Sequence, residues 1–387
     1  MFSVLNKCLR RCFREDIDID NWAWKLFSRA SVAICILGAI ISCSSSFFWD
    51  PIACHNIDVH RHRLEQSFVN QYCWIHGSYN LIDPRTGESL DGVFDGTGQS
   101  CIPSEYYDYH KEGPTKENYQ WVTMMLFVHG LIFILPDKIW KYLEGGMIND
   151  YLLSNKIDNQ NPEEKSQTLL AISRTRTMAY FVSFVVCELL NVVAGIINFC
   201  IMDRFLQGKF ADYGADVISH YLDHDKVFNP MCSAFPTKIF CTISRQGVGG
   251  SVERSNGFCI LSQNIINEKI YLIMWFWMVI LFGTSTLILM YRCGTIIFPS
   301  LRDYELLYRA RKGESAEIQE LKRYLSVSQW FILCQIGRNT QSSDFNQLLS
   351  SLTHHYNNSH ESATEEESKN DGIALNQLTR VSSVIDI

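Results

Sequence analysis

No apolar leader is expected ahead of the first long segment. Residues Met1–Arg29 are mostly polar, with no short hydrophobic stretch leading to a cleavage site, so the first long apolar segment is expected to serve as its own signal anchor. No Lys/Arg cluster accompanies an aromatic platform, and the formal net charge is −7; both argue against nucleic acid as a partner. The polar loops hold no convincing nucleophile–base constellation, so the chain does not read as an enzyme and no catalytic residue is assigned. His60-Arg61-His62 and the pair His220 and His224 lack a defined third ligand, which leaves no expected metal site and no cofactor. The polar loops also contain no Asn-x-Ser/Thr acceptor; the one at Asn357-Asn358-Ser359 falls in the carboxy-terminal tail.

What the chain does have is clustered apolarity. Four runs stand out at Ala30–Trp49, Trp121–Trp140, Met178–Met202 and Ile270–Tyr291. Each approaches the roughly 20 residues that cross about 30 Å of hydrocarbon. Aromatic residues gather near the ends of these runs (Trp49, Trp121, Trp140, Tyr142, Tyr180, Tyr271, Tyr291), as interfacial belts do. The alternative, buried core helices of a soluble protein, fits poorly because four such runs in one chain are hard to cover. The expected fold is an all-α polytopic membrane protein with four transmembrane helices at 30–49, 121–140, 178–202 and 270–291.

Four spans put both termini on one side. Lys7, Arg10, Arg11, Arg14, Lys25 and Arg29 precede the first span, and Arg292, Arg302, Arg309, Arg311 and Lys312 follow the fourth; both sets favour the cytosol. The loops 50–120 and 203–269 then face outward. Six of the fourteen cysteines lie in them: Cys54, Cys73 and Cys101 in the first, Cys232, Cys241 and Cys259 in the second. Disulfides persist on that side of a membrane, which supports the same orientation independently. The first loop is also acidic, with Asp50 and Asp58 near its start. On the cytosolic side the sequence predicts an amino-terminal segment 1–29, a loop 141–177, a helical module 292–352 and a disordered tail 353–387.

Several segments leave alternatives open. From Trp121 only fifteen apolar residues precede Pro136, Asp137 and Lys138, about 22 Å of helix. Either the helix continues through Pro136 to Trp140 with a kink, or the span ends at Leu135 and thins the bilayer. His129 and Glu188 are ionisable residues inside spans; each is a pore or gating contact, or an interhelical hydrogen bond with Glu188 protonated. Ser42-Cys43-Ser44-Ser45-Ser46 suits a water-lined wall through Ser42 and Ser45, or close packing of helices through small residues. Phe2, Val4, Leu5, Leu9 and Phe13 can share one side of a short amino-terminal helix, which would rest on the membrane or fold into a pore and make Met1 and Phe2 pore candidates.

Tyr119-Gln120-Trp121-Val122 opens the second apolar run, with Pro136 near its end and Glu144-Gly145-Gly146 after it. Asp50-Pro51-Ile52-Ala53-Cys54, Tyr72-Cys73-Trp74-Ile75, Cys187-Glu188-Leu189-Leu190-Asn191, Asn267-Glu268-Lys269-Ile270-Tyr271, Trp275-Phe276-Trp277 and Ile336-Gly337-Arg338-Asn339 occur elsewhere, in order. Together these motifs resemble the innexin family of invertebrate gap-junction proteins, relatives of pannexins, over roughly residues 20–350. The family's pattern at the second span is Tyr-Tyr-Gln-Trp-Val; this chain has Asn118 in place of the first Tyr.

The resemblance implies a large-pore channel of identical or related subunits in a ring, eight in the family, docked through its extracellular loops to an apposed hemichannel on the neighbouring cell. It implies multi-pass residence in the plasma membrane at gap junctions, with lipid as a further partner. It also implies two bridges, Cys54 with Cys259 and Cys73 with Cys241. Sequence alone permits fifteen connectivities for six cysteines. Cys101 and Cys232 exceed the family pattern and would form a third bridge. Acids at the mouth, Asp50 or Asp58, would favour cations. Two other readings are an undocked hemichannel that releases small solutes and a non-conducting tetraspan adhesion or scaffold protein. The Cys-Cys-Gly motif of tetraspanins is missing, and loops without glycan acceptors leave docking unobstructed.

Overall fold

In hydrocarbon a backbone must satisfy its own hydrogen bonds, so apolar runs of this length are helical. A computed structural model of the protein describes residues 19–48, 50–55, 65–75, 78–82, 89–90, 112–116, 118–148, 151–152, 174–222, 230–246, 249–310, 320–321 and 325–358. Four helices in it are long and apolar enough to cross a membrane: Trp22–Ser45, Tyr119–Glu144, Arg176–Phe205 and Ser262–Ile297. In full, the first comprises an α-turn Trp22–Trp24, a π-helical segment Lys25–Ala30 and α1, Ser31–Phe48. After β1 (Ala53–His55), α2 (Gln66–Ile75), β2 (Ser78–Ile82), β3 (Ser89–Leu90) and β4 (Glu112–Lys116) comes α3, Asn118–Glu144. α4 is Arg174–Phe205, α5 Phe210–Leu222, α6 Pro230–Ala234, β5 Lys238–Gln246, β6 Val252–Ile260 and α7 Ser262–Ile297. α8 (Pro299–Ala310), α9 (Val327–Asn339) and a helix α10 over residues 342–358 close the described chain.

The helices overrun the apolar stretches at both ends. The first begins at Trp22, eight residues before the apolar run at Ala30, and α7 is 36 residues long. α3 runs unbroken through Pro136 to Glu144. α10 extends helix to residue 358, past the point where composition turns polar at about Thr353. The amino-terminal candidates Met1 and Phe2, with Asp58 and Cys101, lie outside the described residues, as do the tail beyond 358 and the side chain of Cys232.

Two compact units divide the chain: Trp22–Asp137 with Leu189–Thr286, and Met1–Asn21 with Lys138–Glu188 and Leu287–Ile387. They are named here the loop-side and termini-side units. The loop-side unit has an apolar core built on Val122, Leu126 and Phe133 of α3, Phe210 and Tyr213 of α5, and Tyr271, Met274 and Met278 of α7. Next to it sits a second cluster made of the two loops, from Ile52, Val69, Ile239, Ile243, Leu261 and four cysteines. In the termini-side unit Trp330, Phe331, Ile332, Leu333, Cys334 and Ile336 of α9 are all buried.

One antiparallel sheet joins the two polar loops. Its strand order is β1-β6-β5-β2-β3, with β4 also on β2. β5 and β6, nine residues each, form a hairpin in which Cys241 faces Gly257 and Ile239 faces Cys259. Strands from the first loop flank it on both sides, β1 through Cys54 opposite Cys259 and β2 through Tyr79 opposite Phe240. Burial along β5 alternates, with Ile239, Cys241 and Ile243 inward, as a half-buried strand requires.

Candidate functional site

The inter-loop clamp is built from these inward positions. Cys54 bonds Cys259 and Cys73 bonds Cys241, with Cα–Cα distances of 3.9 and 5.8 Å. These are the pairings the family resemblance implies. The sulfurs of Cys54, Cys73 and Cys259 lie within 4.8 Å of one another, so the two bridges stack as one buried knot. Being oxidised, they offer no thiolate to a metal.

Helix α2 presents Val69 and Cys73, one turn apart, to that knot. Its start is fixed to β1: Gln66 Nε2 donates to the Cys54 carbonyl at 2.6 Å, and Cys54 N–H donates to Asn70 Oδ1 at 3.1 Å. Its end is fixed to α3 by the Tyr119-Gln120 motif. Both the Tyr119 hydroxyl and the Gln120 amide donate to the Trp74 carbonyl, and the Tyr119 and Trp74 rings are 4.8 Å apart. Val122 is buried in the core and Trp121 points out, exposed. The motif therefore anchors the disulfide-bearing helix of the first loop to the second membrane helix.

A second anchor holds α5 to α7. Asp203 Oδ1 accepts from the Phe210 and Ala211 N–H groups, both at 3.1 Å, and so caps the helix start. Gly214 lies against the Trp275 indole so closely that a Cβ would stand 2.1 Å from it. Trp275 Nε1 donates to the Ala211 carbonyl at 3.0 Å. Tyr213 donates to the Glu268 carbonyl at 3.1 Å; burial, with the Glu268 carboxylate nearby, pushes its phenol up and keeps it neutral.

Ser42 and Ser45 face into the subunit, 1% and 5% exposed. The Ser42 hydroxyl meets Thr123 Oγ1 at 3.1 Å and Asn267 Oδ1 at 3.3 Å, and Gln263 Nε2 reaches the Ser42 carbonyl at 2.9 Å. Ser45 donates to Gln263 Oε1. This network binds α1 to α3 and α7. At the other end of α1, Trp277 Nε1 donates to Ser31 Oγ at 2.9 Å, where the π-helical segment ends. His129 of α3, fully buried, has its Nδ1 2.9 Å from Asn198 Oδ1 of α4. Asp50 is exposed.

In the termini-side unit Glu188 has a partner that sequence reasoning did not supply. Arg292 forms a bidentate pair with it, at 2.8 and 2.6 Å, and both side chains are buried. The guanidinium lies between the rings of Phe184 and Phe331, 5.1 and 5.3 Å from their centroids. Arg292 had counted only as a basic residue beyond the fourth span; α7 carries it onward, and the side chain turns inward to the one carboxylate on α4 that faces it. The i, i+104 spacing offers no sequence signal.

The remaining motifs have local roles. Gly145 and Gly146 both adopt positive φ, 62° and 82°, which ends α3 in a turn open to glycine. Glu144 accepts from the Gly146 and Ile148 N–H groups at 2.7 and 2.9 Å and closes that turn. Gly337 leaves room for Phe345, whose ring would lie 2.8 Å from an added Cβ. Arg338 donates to the Asp20 carbonyl at 2.9 Å, and Lys141 pairs with the Asp20 carboxylate at 3.8 Å.

Known proteins are similar in sequence to nearly the whole chain. The family profile described as Innexin matches residues 20–356. Innexin inx2 of Drosophila melanogaster is 31% identical over 361 residues, covering 91% of this chain and 95% of the relative. Innexin inx2 of Schistocerca americana is 30% identical over 360 residues, 91% and 97% respectively. Innexin inx3 of Drosophila melanogaster is 31% identical over 343 residues, 86% of this chain and 84% of the relative. With four membrane-length helices, two bridges tying its loops, and this similarity from end to end, the chain belongs to the innexin family of multi-pass gap-junction membrane proteins.

Proposed function

We propose that this protein is a subunit of a large-pore channel, ringed by identical or related subunits, eight to the ring. Two rings in apposed cells dock through loops 50–120 and 203–269 to pass ions and small solutes between cells. Both termini are cytosolic and the loops extracellular. The observation that supports this reading best is the single sheet drawn from both loops and bridged twice within the subunit. A docking surface has no second membrane to brace it before contact. Rigid loops lose less conformational freedom on association, so more of the contact energy remains as affinity.

Asp50 is exposed where the first span gives way to the loop, and in this reading it carries charge toward the mouth. Neutralising Asp50 to Asn should lower the preference for cations in single-channel recordings; unchanged selectivity would remove it from the mouth. The function itself is tested by dual voltage clamp on paired cells that both express the protein. Junctional current is expected. Dye uptake by single cells without junctional current would instead support an undocked hemichannel, and neither signal would support an adhesion or scaffold role.

A further inference from the structure

The chain beyond the fourth membrane helix does not run straight on into solvent. In a continuous helix Tyr291 and Glu305 would stand about 21 Å apart along the axis. They are fourteen residues apart in sequence, yet the Tyr291 hydroxyl donates to Glu305 Oε2 at 2.6 Å. Leu301 likewise packs back on Gly294, where an added Cβ would lie 3.1 Å from Leu301 Cδ1. The bend is made at Phe298 and Pro299. Phe298 N–H still bonds the Gly294 carbonyl at 2.8 Å, and Leu301 N–H bonds the Phe298 carbonyl at 3.2 Å. Pro299, with no N–H to satisfy, opens α8. α8 thus turns off the axis of α7 and brings Glu305, at its middle, within side-chain reach of Tyr291, the last residue of the fourth apolar run.

One face of α8 is covered. Leu306 and Ala310 are buried, and Trp330 of α9 donates its ring N–H to the Arg302 carbonyl at 3.0 Å. The other face is open. Leu301, Tyr304 and Tyr308 form a stripe at helical spacing, with the tyrosines 70% and 75% exposed, and Ile297 and Phe298 continue it through the bend. The stripe is thus continuous with the outward-facing apolar residues Leu287 and Met290 of the membrane helix. Charge on α8 is balanced, Arg302 and Arg309 against Asp303 and Glu305, and Arg309 closes on Glu305. The helix offers no cationic patch to draw an anionic surface. Tyrosine has an apolar ring and a polar tip, which suits the headgroup level of a bilayer.

We propose that α8 is an interfacial helix that lies in the membrane surface beside the end of α7, with Leu301, Tyr304 and Tyr308 seated among lipid headgroups and upper acyl chains. The occupant of this face is phospholipid, held by apolar and aromatic contact rather than by charge. The test places p-benzoylphenylalanine at 304 or 308 in the full-length protein, assembled in phosphatidylcholine nanodiscs. After irradiation and digestion, mass spectrometry reads what is attached to the α8 peptide. A phosphatidylcholine adduct is expected, similar at low and high salt, and about tenfold above that from the same probe at the exposed Ser343. Cross-linked subunit pairs from 304 and 308 would overturn the proposal and assign the face to a second copy of the chain. Adducts no higher than at 343 would overturn it in favour of solvent. A probe at Leu301 reads the same face if either tyrosine position fails to assemble.

Discussion

Both units tie together segments that are far apart in sequence, but with different chemistry. On the loop side, two disulfides close separations of 205 and 168 residues and a shared sheet carries them. On the termini side, one buried ion pair joins residues 104 apart, held between two phenyl rings. A disulfide keeps its ends together even while the surrounding structure opens. An ion pair holds only as long as its packing and its charges both persist. The loop side therefore holds one shape whatever its neighbours do. The termini side can be loosened by a single change of charge, and removal of one partner leaves the other stranded in a buried site.

The comparison breaks most sharply at the bridges. For loops of this length the chain-entropy model assigns up to about 5 kcal/mol to each disulfide. Reduction of both, by a phosphine reagent applied to the intact protein, should make loops 50–120 and 203–269 rapidly cleavable by protease. Trypsin sites around Arg292 and Arg338 should stay protected. Equal exposure in both units would mean that they do not differ as described.

The ion pair comes next. Arg292→Met alone should cost about 3–5 kcal/mol, because Glu188 is left buried and unpaired. Pairing it with Glu188→Leu should restore most of that loss, since two apolar side chains suit the same site. Thermal unfolding of the purified variants in detergent reads both, and a double variant no better than the single one would show that the pair is not the unit of stability.

How much of this could be read beforehand follows the range of the interaction. Four spans and their polar loops depend on local hydropathy and length, which a sequence displays directly; at Pro136 hydropathy left two readings open, and the structure carries α3 through it. The bridges came from motif similarity, because cysteine spacing alone left the partners open. Ser42 and Ser45 suit a wet wall by sequence, but a hydroxyl on an apolar helix looks the same whether it meets water or Gln263, 221 and 218 residues away. Arg292 looked like an ordinary membrane-flanking cation until α7 proved long enough to carry it to Glu188. Glycine seats were equally silent: Gly214 and Gly337 are defined by the rings of Trp275 and Phe345, which only folding brings to them.

Those seats sharpen the comparison at a smaller scale. Gly214→Ala and Gly337→Ala should each destabilise by about 1–3 kcal/mol through overpacking. The loop-side change should be the larger, because its Cβ would stand 2.1 Å from an indole against 2.8 Å from the ring at Gly337. Melting temperatures of the two variants give the order directly; a Gly214→Ala protein as stable as its parent would show that α5 is free to shift. Smallest is Ser42→Ala, which removes one neutral hydrogen-bond partner and should cost about 1 kcal/mol. Single-channel conductance should not change, and a clear change would return Ser42 to the pore wall.

The two loops are proposed to act as one bridged docking body. Junctional conductance between paired cells tests it directly, comparing the unaltered chain with a Cys73→Ser, Cys241→Ser variant matched for surface expression. The unaltered chain should couple the cells, and the variant should reach the surface without coupling them. Full coupling by the variant would contradict the account.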